Sequence, residues 1–384
     1  MKRTSILLPL LLGGALVLPG CNTGDSAGSG TLNVALTDAP SCGYDHVYIT
    51  VDRVRVNASA VAGENAAGWH EVVLDIPRKI DLLSLTNGVL TELGQTGLPA
   101  GHYQQVRLVL VPNSGNVLNN SVVPSGGSEH ALATPSAAQS GYKVVGEFNV
   151  GSNEVVDLVL DFDACRSIVP KGNGGYALKP VVTATVQAVS GSIAGYVDPA
   201  DAGATVYAEQ DGQIVKGTVA DGNGYFLLAP VLRSSTNGNY DVVITRPGDT
   251  TTIVRGVPVV ARATTTLSTN AQPFLLAPSP TQSASGTVTP ASAEAVVEAL
   301  QASSGGTLVI AGVPANLDTG SYALTLPTAA PLVGSYTGTL PVSLIPDTTA
   351  AGRYTLRATT ALGASQTQEA NLQGGDITGL DFLF

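Results

Sequence analysis

Charge is what this chain has least of. Only 12% of its 384 residues are Asp, Glu, Lys or Arg, and 18 bases stand against 29 acids, for a formal net charge of −11. Nucleic-acid binders need clustered Lys and Arg, so bases this scattered exclude a phosphate backbone as partner. Aromatics are also scarce, 5% with a single tryptophan, Trp69, which leaves few of the exposed ring faces that sugar platforms use. The histidines, His46, His70, His102 and His130, show no His-x-x-x-His or Cys/His spacing, and a metal-catalytic site has no motif to rest on. No phosphate-cradling glycine loop follows a strand and opens a helix, so Gly172–Gly175 reads as a turn. Cysteine is confined to Cys21, Cys42 and Cys165.

What the chain has instead is 44% hydrophobic residues together with 44 Gly and 23 Pro. Low charge with dense turn formers fits an all-β envelope protein, and the length fits about two to three domains. Residues 1–21 carry Lys2 and Arg3, an apolar run Ile6–Leu18 and then Leu18-Pro19-Gly20-Cys21, the layout of an export signal too short to span a membrane comfortably. Its end resembles a bacterial lipobox, which implies cleavage before Cys21 and acylation of that residue. Residues 22–30 then read as a flexible Gly/Ser tether. Gly24-Asp25-Ser26-Ala27-Gly28 matches the nucleophile-elbow spelling, but no strand precedes it, so no catalytic residue is assigned there or elsewhere.

An antiparallel β domain is expected over 31–189, followed by two Ig-like or prealbumin-like β-sandwiches. Its best-marked strand is Val155–Phe162: Val156, Leu158, Leu160 and Phe162 alternate onto one face, and Asp157, Val159, Asp161 and Asp163 onto the other. A parity change around Asp52–Arg53 predicts a bulge. Asn87-Gly88 predicts a tight hairpin turn, Tyr103–Val111 a central strand, Pro112–Gly141 a loop, and Lys143–Val150 and Tyr176–Val186 further strands. With Cys21 consumed by lipid, Cys42 and Cys165 are expected to pair in an oxidising compartment. Asp161 and Asp163 project to one side about 7 Å apart and repel unless something positive intervenes. Lys179 is the candidate partner, with Asp38 and Asp45 adding oxygens. A salt-bridge network is the preferred reading, a solvated face the second and a Ca²⁺ site the third, no other cofactor being implied.

Thr37–Pro40 (TDAP), Cys42–Tyr48 (CGYDHVY), Ile80–Gly88 (IDLLSLTNG), Leu98–Tyr103 (LPAGHY), Asp161–Cys165 (DFDAC) and Leu178–Val182 (LKPVV) together resemble the N-terminal domain of a family of bacterial envelope lipoproteins, a domain of unknown function. The resemblance covers about Gly30–Val189 and implies membership but no activity. Residues 190–277 resemble the prealbumin-like β-sandwich of the carboxypeptidase regulatory type, whose relatives include starch-binding modules. Residues 281–384 repeat that unit: Ser283–Pro290 echoes Ser192–Pro199, while Val297, Ala299 and Gln301 stand where Val206, Ala208 and Gln210 stand, at an offset of about 91. Tyr322 and Tyr354 echo Tyr225 and Tyr240. Ala277–Pro280 reads as a semi-rigid joint between spaced modules, and Asp221–Gly224 as a turn rather than a calcium loop.

The expectation is thus a non-enzymatic, lipid-anchored protein of the bacterial cell envelope, periplasmic or surface-exposed at the outer membrane, that binds or spaces. Its partners would be the membrane and an envelope protein or glycan. A carbohydrate-binding surface protein is the alternative, and a hydrolase the third reading.

Overall fold

The computed structural model describes residues 28–38, 43–135, 140–172 and 174–384, the side chains of Cys165, Thr236 and Asn237 excepted. Cys21, Cys42, the Cys165 side chain and most of the Gly24–Gly28 motif lie outside the described residues, and with them the acylation and disulfide expectations. The chain is all-β, and among the described residues no helix is long and apolar enough to cross a membrane.

Alternating apolar residues explain the first sandwich. Ser29–Asp38 buries Leu32, Val34 and Leu36 and pairs in parallel with Val155–Phe162, whose Val156, Leu158, Leu160 and Phe162 are buried beside them. Thr91–Pro99 and Val182–Val186 complete a four-stranded sheet. An eight-stranded sheet packs against it, centred on Tyr44–Asn57 and on Gln105–Leu110, which is buried along its whole length. The ladder of Tyr44–Asn57 slips between Val51 and Arg53, where the apolar parity changes.

Several local readings need correction. Pro112–Gly141 is not all loop, because Ser121–Pro124 and His130–Ala133 are strands that place Val122 and Leu132 in the core. Tyr176–Val186 is interrupted at Lys179–Val181: Tyr176–Leu178 belongs to the large sheet and Val182–Val186 to the small one, with Pro180 at the crossing. Lys143–Val150 divides into Tyr142–Val144 and Phe148–Val150 around Gly146. Asn87 and Gly88, at φ 55° and 73°, do form a tight turn, but it joins a 3-10 turn, Leu82–Leu85, to the strand Thr91–Pro99 rather than two paired strands.

Two further sandwiches follow, with one topology. In the second, Ser190–Tyr196 is flanked by Tyr225–Leu232 and, in parallel, by Thr264–Thr266; the facing sheet runs Gln213–Val219, Thr205–Gln210, Tyr240–Thr245, Thr252–Val257. In the third, Thr281–Thr289 is flanked by Ser321–Pro327 and, in parallel, by Phe382–Leu383; the facing sheet runs Gly306–Pro314, Val296–Ser303, Arg353–Thr359, Ser365–Asn371. Even the irregularities correspond, with a ladder slip at Ala208/Glu209 and another at Ala299/Leu300. Register corrects the alignment of one pair by a single residue. Gly195 faces Phe226 and Gly286 faces Tyr322, so Tyr322 stands where Phe226 stands and Tyr225 is matched by Ser321.

The modules are not spaced along a string. Ala277–Pro280 is stitched to the second sandwich by Thr250 N–H to Ala277 O (2.7 Å) and Ser279 N–H to Gly248 O (2.8 Å). Between its Ser321–Pro327 and Arg353–Thr359 strands the third sandwich sends out an excursion. Leu332–Ser335 pairs in parallel with Thr252–Val257, and Ile345–Pro346 adds outside it, making the second sandwich's larger sheet six-stranded. A Pro/Ser-rich composition favours extension only where nothing offers those backbone groups partners, and here partners exist.

Candidate functional site

The carboxylates of the Asp161 strand lie where the sandwiches meet. Asp38 ends its strand opposite Phe162, next to the turn that Asp163 opens, and the charges of Asp163 and Asp161 act on its carboxyl there. Asp38 is 1% exposed; its Oδ1 accepts the Ala164 N–H at 3.2 Å and its Oδ2 has no partner. Asp163 caps the turn Ala164–Ser167, Oδ1 accepting the Arg166 N–H at 3.0 Å. Lys216, from the second sandwich, donates to Asp161 Oδ1 at 2.5 Å, and its side chain is 2% exposed. Burial raises all these aspartate pKa values, that of Asp38 most strongly, where the Asp163 and Asp161 charges add to it; Lys216 opposes the rise at each.

Lys179 is not the partner of Asp161. It reaches the third sandwich and pairs with Glu294, because the break at Pro180 carries it away from the acidic face. Asp45 stands apart on Tyr44–Asn57, fully exposed, its Oδ2 accepting the Gly126 N–H at 3.0 Å, a bond that holds its pKa below the usual value. Asp38, Asp161 and Asp163 therefore share one site, and Asp45 and Lys179 do not.

The sequence reading missed the rest of the junction. Arg166 lies 3.6 Å from Glu298, and Glu298 Oε2 receives Arg357 Nη2 at 2.7 Å and Nε at 3.1 Å. Arg357 also donates to the Gly212 carbonyl of the second sandwich at 3.2 Å. Glu209, wholly buried, accepts the Val309 N–H at 2.9 Å, and burial lifts its pKa to about 8. Arg255 joins Asp241 at 2.8 Å and the Gly306 carbonyl at 2.9 Å. On the other flank Asn87 Oδ1 accepts from Thr218 Oγ1 (2.9 Å) and from the Leu227 N–H (3.0 Å), fastening the first sandwich to the second. A buried charge needs a partner. The one signal available in sequence was the presence of charged residues inside otherwise apolar strands, such as Glu209 in Thr205–Gln210.

Chemically the junction pairs charges away from solvent. Lys216 occupies Asp161, Arg166 and Arg357 occupy Glu298, and Arg255 occupies Asp241, and among the described residues no group of three or more His, Cys, Asp or Glu side chains is arranged to hold a metal ion. The histidines are dispersed: His46 meets Asp81 at 2.6 Å and His102 meets Glu147 at 3.4 Å, both on the surface.

Comparison with known proteins adds little beyond the first sandwich. No curated protein matches the chain. A cohesin–X-dockerin complex from Acetivibrio cellulolyticus, an N-terminal interface mutant, is similar at 32% identity over 23% of this chain and 58% of its own, with a TM-score of 0.20. The C-terminal interface mutant of that complex gives 32%, 22%, 56% and 0.18. A streptococcal ancillary pilin is similar at 10% identity over 92% of this chain and 99% of its own, with a TM-score of 0.16. The chain thus spans somewhat over half the length of the first two. Residues 29–180, most of the first sandwich, match a domain of unknown function (DUF4382).

Proposed function

We propose a non-enzymatic, lipid-anchored protein of the bacterial cell envelope whose three sandwiches, residues 31–189, 190–277 and 281–384, act as one rigid binding body. Cys21 carries the lipid and residues 22–30 hold the body off the membrane. The observation that supports this reading is where the buried charges go. Asp161–Lys216 joins the first sandwich to the second, Arg166–Glu298 the first to the third, and Glu209–Val309 the second to the third. Polar groups that an enzyme would aim into an open cleft serve here as fasteners between modules, as a scaffold presenting a surface requires. With Cys21 taken up by lipid, Cys42 and Cys165 would pair with each other in an oxidising compartment and close the first sandwich further.

Fractionation tests the anchor. The wild-type protein is expected in the membrane fraction with lipid mass on its N-terminal cysteine, and Cys21→Ser is expected to leave it. An intact mass without lipid refutes the anchor. Limited proteolysis tests the rigid body: cleavage is expected to spare Ala277–Pro280, and early release of separate sandwiches there refutes it.

A further inference from the structure

The second sandwich has an open end that its duplicate lacks. Tyr196 and Tyr225 are cross-strand partners with ring centroids 5.2 Å apart and planes inclined at 54°, and both are half-exposed. With Pro199, Asp221, Asn223 and Asn270 they line a cleft of about 510 Å³. The walls are fixed from behind. Asp221 Oδ1 accepts the N–H groups of Asn223 and Tyr225, both at 2.9 Å, and its other oxygen takes no part in those bonds. Gly224, at φ 79°, packs so close to the Val197 carbonyl that a Cβ would sit 2.1 Å from its oxygen. Ser268 Oγ accepts from the Tyr196 N–H at 2.7 Å and donates to its carbonyl at 2.8 Å.

A cross-strand aromatic pair can exist only to stabilise its strands. The third sandwich decides against that here. It builds the same strand pair and the same turn, with Gly320 at φ 70° and placed so that a Cβ there would also sit 2.1 Å from a carbonyl oxygen, that of Val288, but carries Thr287 and Ser321 where the tyrosines stand. Its turn is also closed off, docked on the first sandwich by Gly172 N–H to Asp318 Oδ2 (2.5 Å) and Leu317 N–H to Pro170 O (3.3 Å). The fold does not need the rings, and only the end that carries them is open.

We propose that this cleft binds a neutral oligosaccharide. Tyrosine offers a flat apolar face to the C–H side of a pyranose and a hydroxyl to its rim, while Asp221, Asn223 and Asn270 supply the planar acceptors and donors that match adjacent sugar hydroxyls. The lining contains no cation, which disfavours an anionic ligand. The site goes beyond the scaffold reading and does not depend on the lipid anchor.

Calorimetric titration of the full chain, in a detergent without a sugar headgroup, tests it with maltohexaose, cellohexaose, xylohexaose and chitohexaose, and with choline as the cation that aromatic faces also hold. Saturable binding of at least one hexaose is expected, weakened about tenfold or more in Tyr196→Thr/Tyr225→Ser, which installs the residues the duplicate already folds with. Asn270→Ala, on an exposed loop, is expected to weaken it as well with the thermal midpoint unchanged. Absence of saturable heat with every hexaose overturns the proposal. So does binding that survives the double substitution, or binding of choline alone.

Discussion

The second and third sandwiches are the same construction used in two ways. Facing the cores they agree: Val206, Ala208, Val297 and Ala299 are all fully buried. Gln210 donates to the Gly238 carbonyl and Gln301 to the Ala350 carbonyl, each tying the loop before a tyrosine strand. Tyr240 and Tyr354 then donate to Leu232 and Pro327, the last residues of corresponding strands. Away from the cores they part. Tyr207 is matched by Glu298, Glu209 by Leu300 at the shared ladder slip, and Lys216, opposite Ala208, by Ala311, opposite Ala299. Core positions answer to a packing volume that both copies must fill. The outer faces answer to different neighbours, since the second sandwich has become the lock for Asp161 and the third supplies the excursion that covers its sheet.

The strongest way to break this contrast is to give the second sandwich the residue of the third. Lys216→Ala leaves Asp161 buried beside Asp38 and Asp163 without its cation, and removing one partner of a buried pair costs about 3–5 kcal/mol. Chemical denaturation at neutral pH measures it. The loss is expected to shrink in acid. With its folded pKa raised still further, Asp161 contributes stability that is present below the ordinary aspartate range and lost as pH climbs through the raised value. An apolar pair, Asp161→Leu with Lys216→Met, is expected to recover most of the loss, whereas Ala311→Ser in the third sandwich is expected to change little.

Glu209 and Leu300 differ in the same sense but with a pH signature. Glu209 has a folded pKa of about 8, so the folded state holds its proton where the unfolded state has released it. Its contribution is complete below the ordinary glutamate value and is lost as pH rises through about 8, a difference on the order of 5 kcal/mol. Glu209→Gln keeps an acceptor for the Val309 N–H and does not titrate. Unfolding curves from pH 5 to pH 9 are expected to flatten in the variant; an unchanged slope would place the titration elsewhere.

Asn87→Ala tests the flank that only the second sandwich presents. The change removes the acceptor for Leu227 N–H and Thr218 Oγ1 and puts alanine at φ 55°, a cost of about 1–2 kcal/mol in thermal or chemical unfolding. This residue also shows how much could be read beforehand. The Asn-Gly turn, the alternation of Val155–Phe162, the slip near Asp52 and the repeat at Val206/Val297 are local or periodic, and each was legible in the sequence. What the turn touches was not, because Thr218 and Leu227 lie far along the chain and nothing periodic links them to Asn87. Asp161 failed in the same way. Lys179 is the base in the nearest well-marked strand, yet docking brings Lys216, 55 residues away, to Asp161 and sends Lys179 to Glu294. The Pro/Ser joint misled for a related reason: composition describes a segment's freedom in isolation, and here Gly248 and Thr250 take up its backbone groups.

The smallest expected effect separates the two copies where they look most alike. Gln210 and Gln301 do the same job, but Gln301 is 1% exposed and Gln210 is half-exposed. Water can replace the amide of Gln210 once it is gone, at Gly238 and at Asn239, whereas the Ala350 carbonyl is left facing protein. An unsatisfied buried acceptor costs more than an exposed one. Gln301→Ala is therefore expected to destabilise by about 1 kcal/mol more than Gln210→Ala, read as a lower denaturation midpoint at unchanged slope. Equal losses would mean that the Ala350 carbonyl finds another donor and that burial does not distinguish the repeats at this position. A larger loss at Gln210 would reverse the assignment, making the loop before Tyr240 the one that depends on its glutamine.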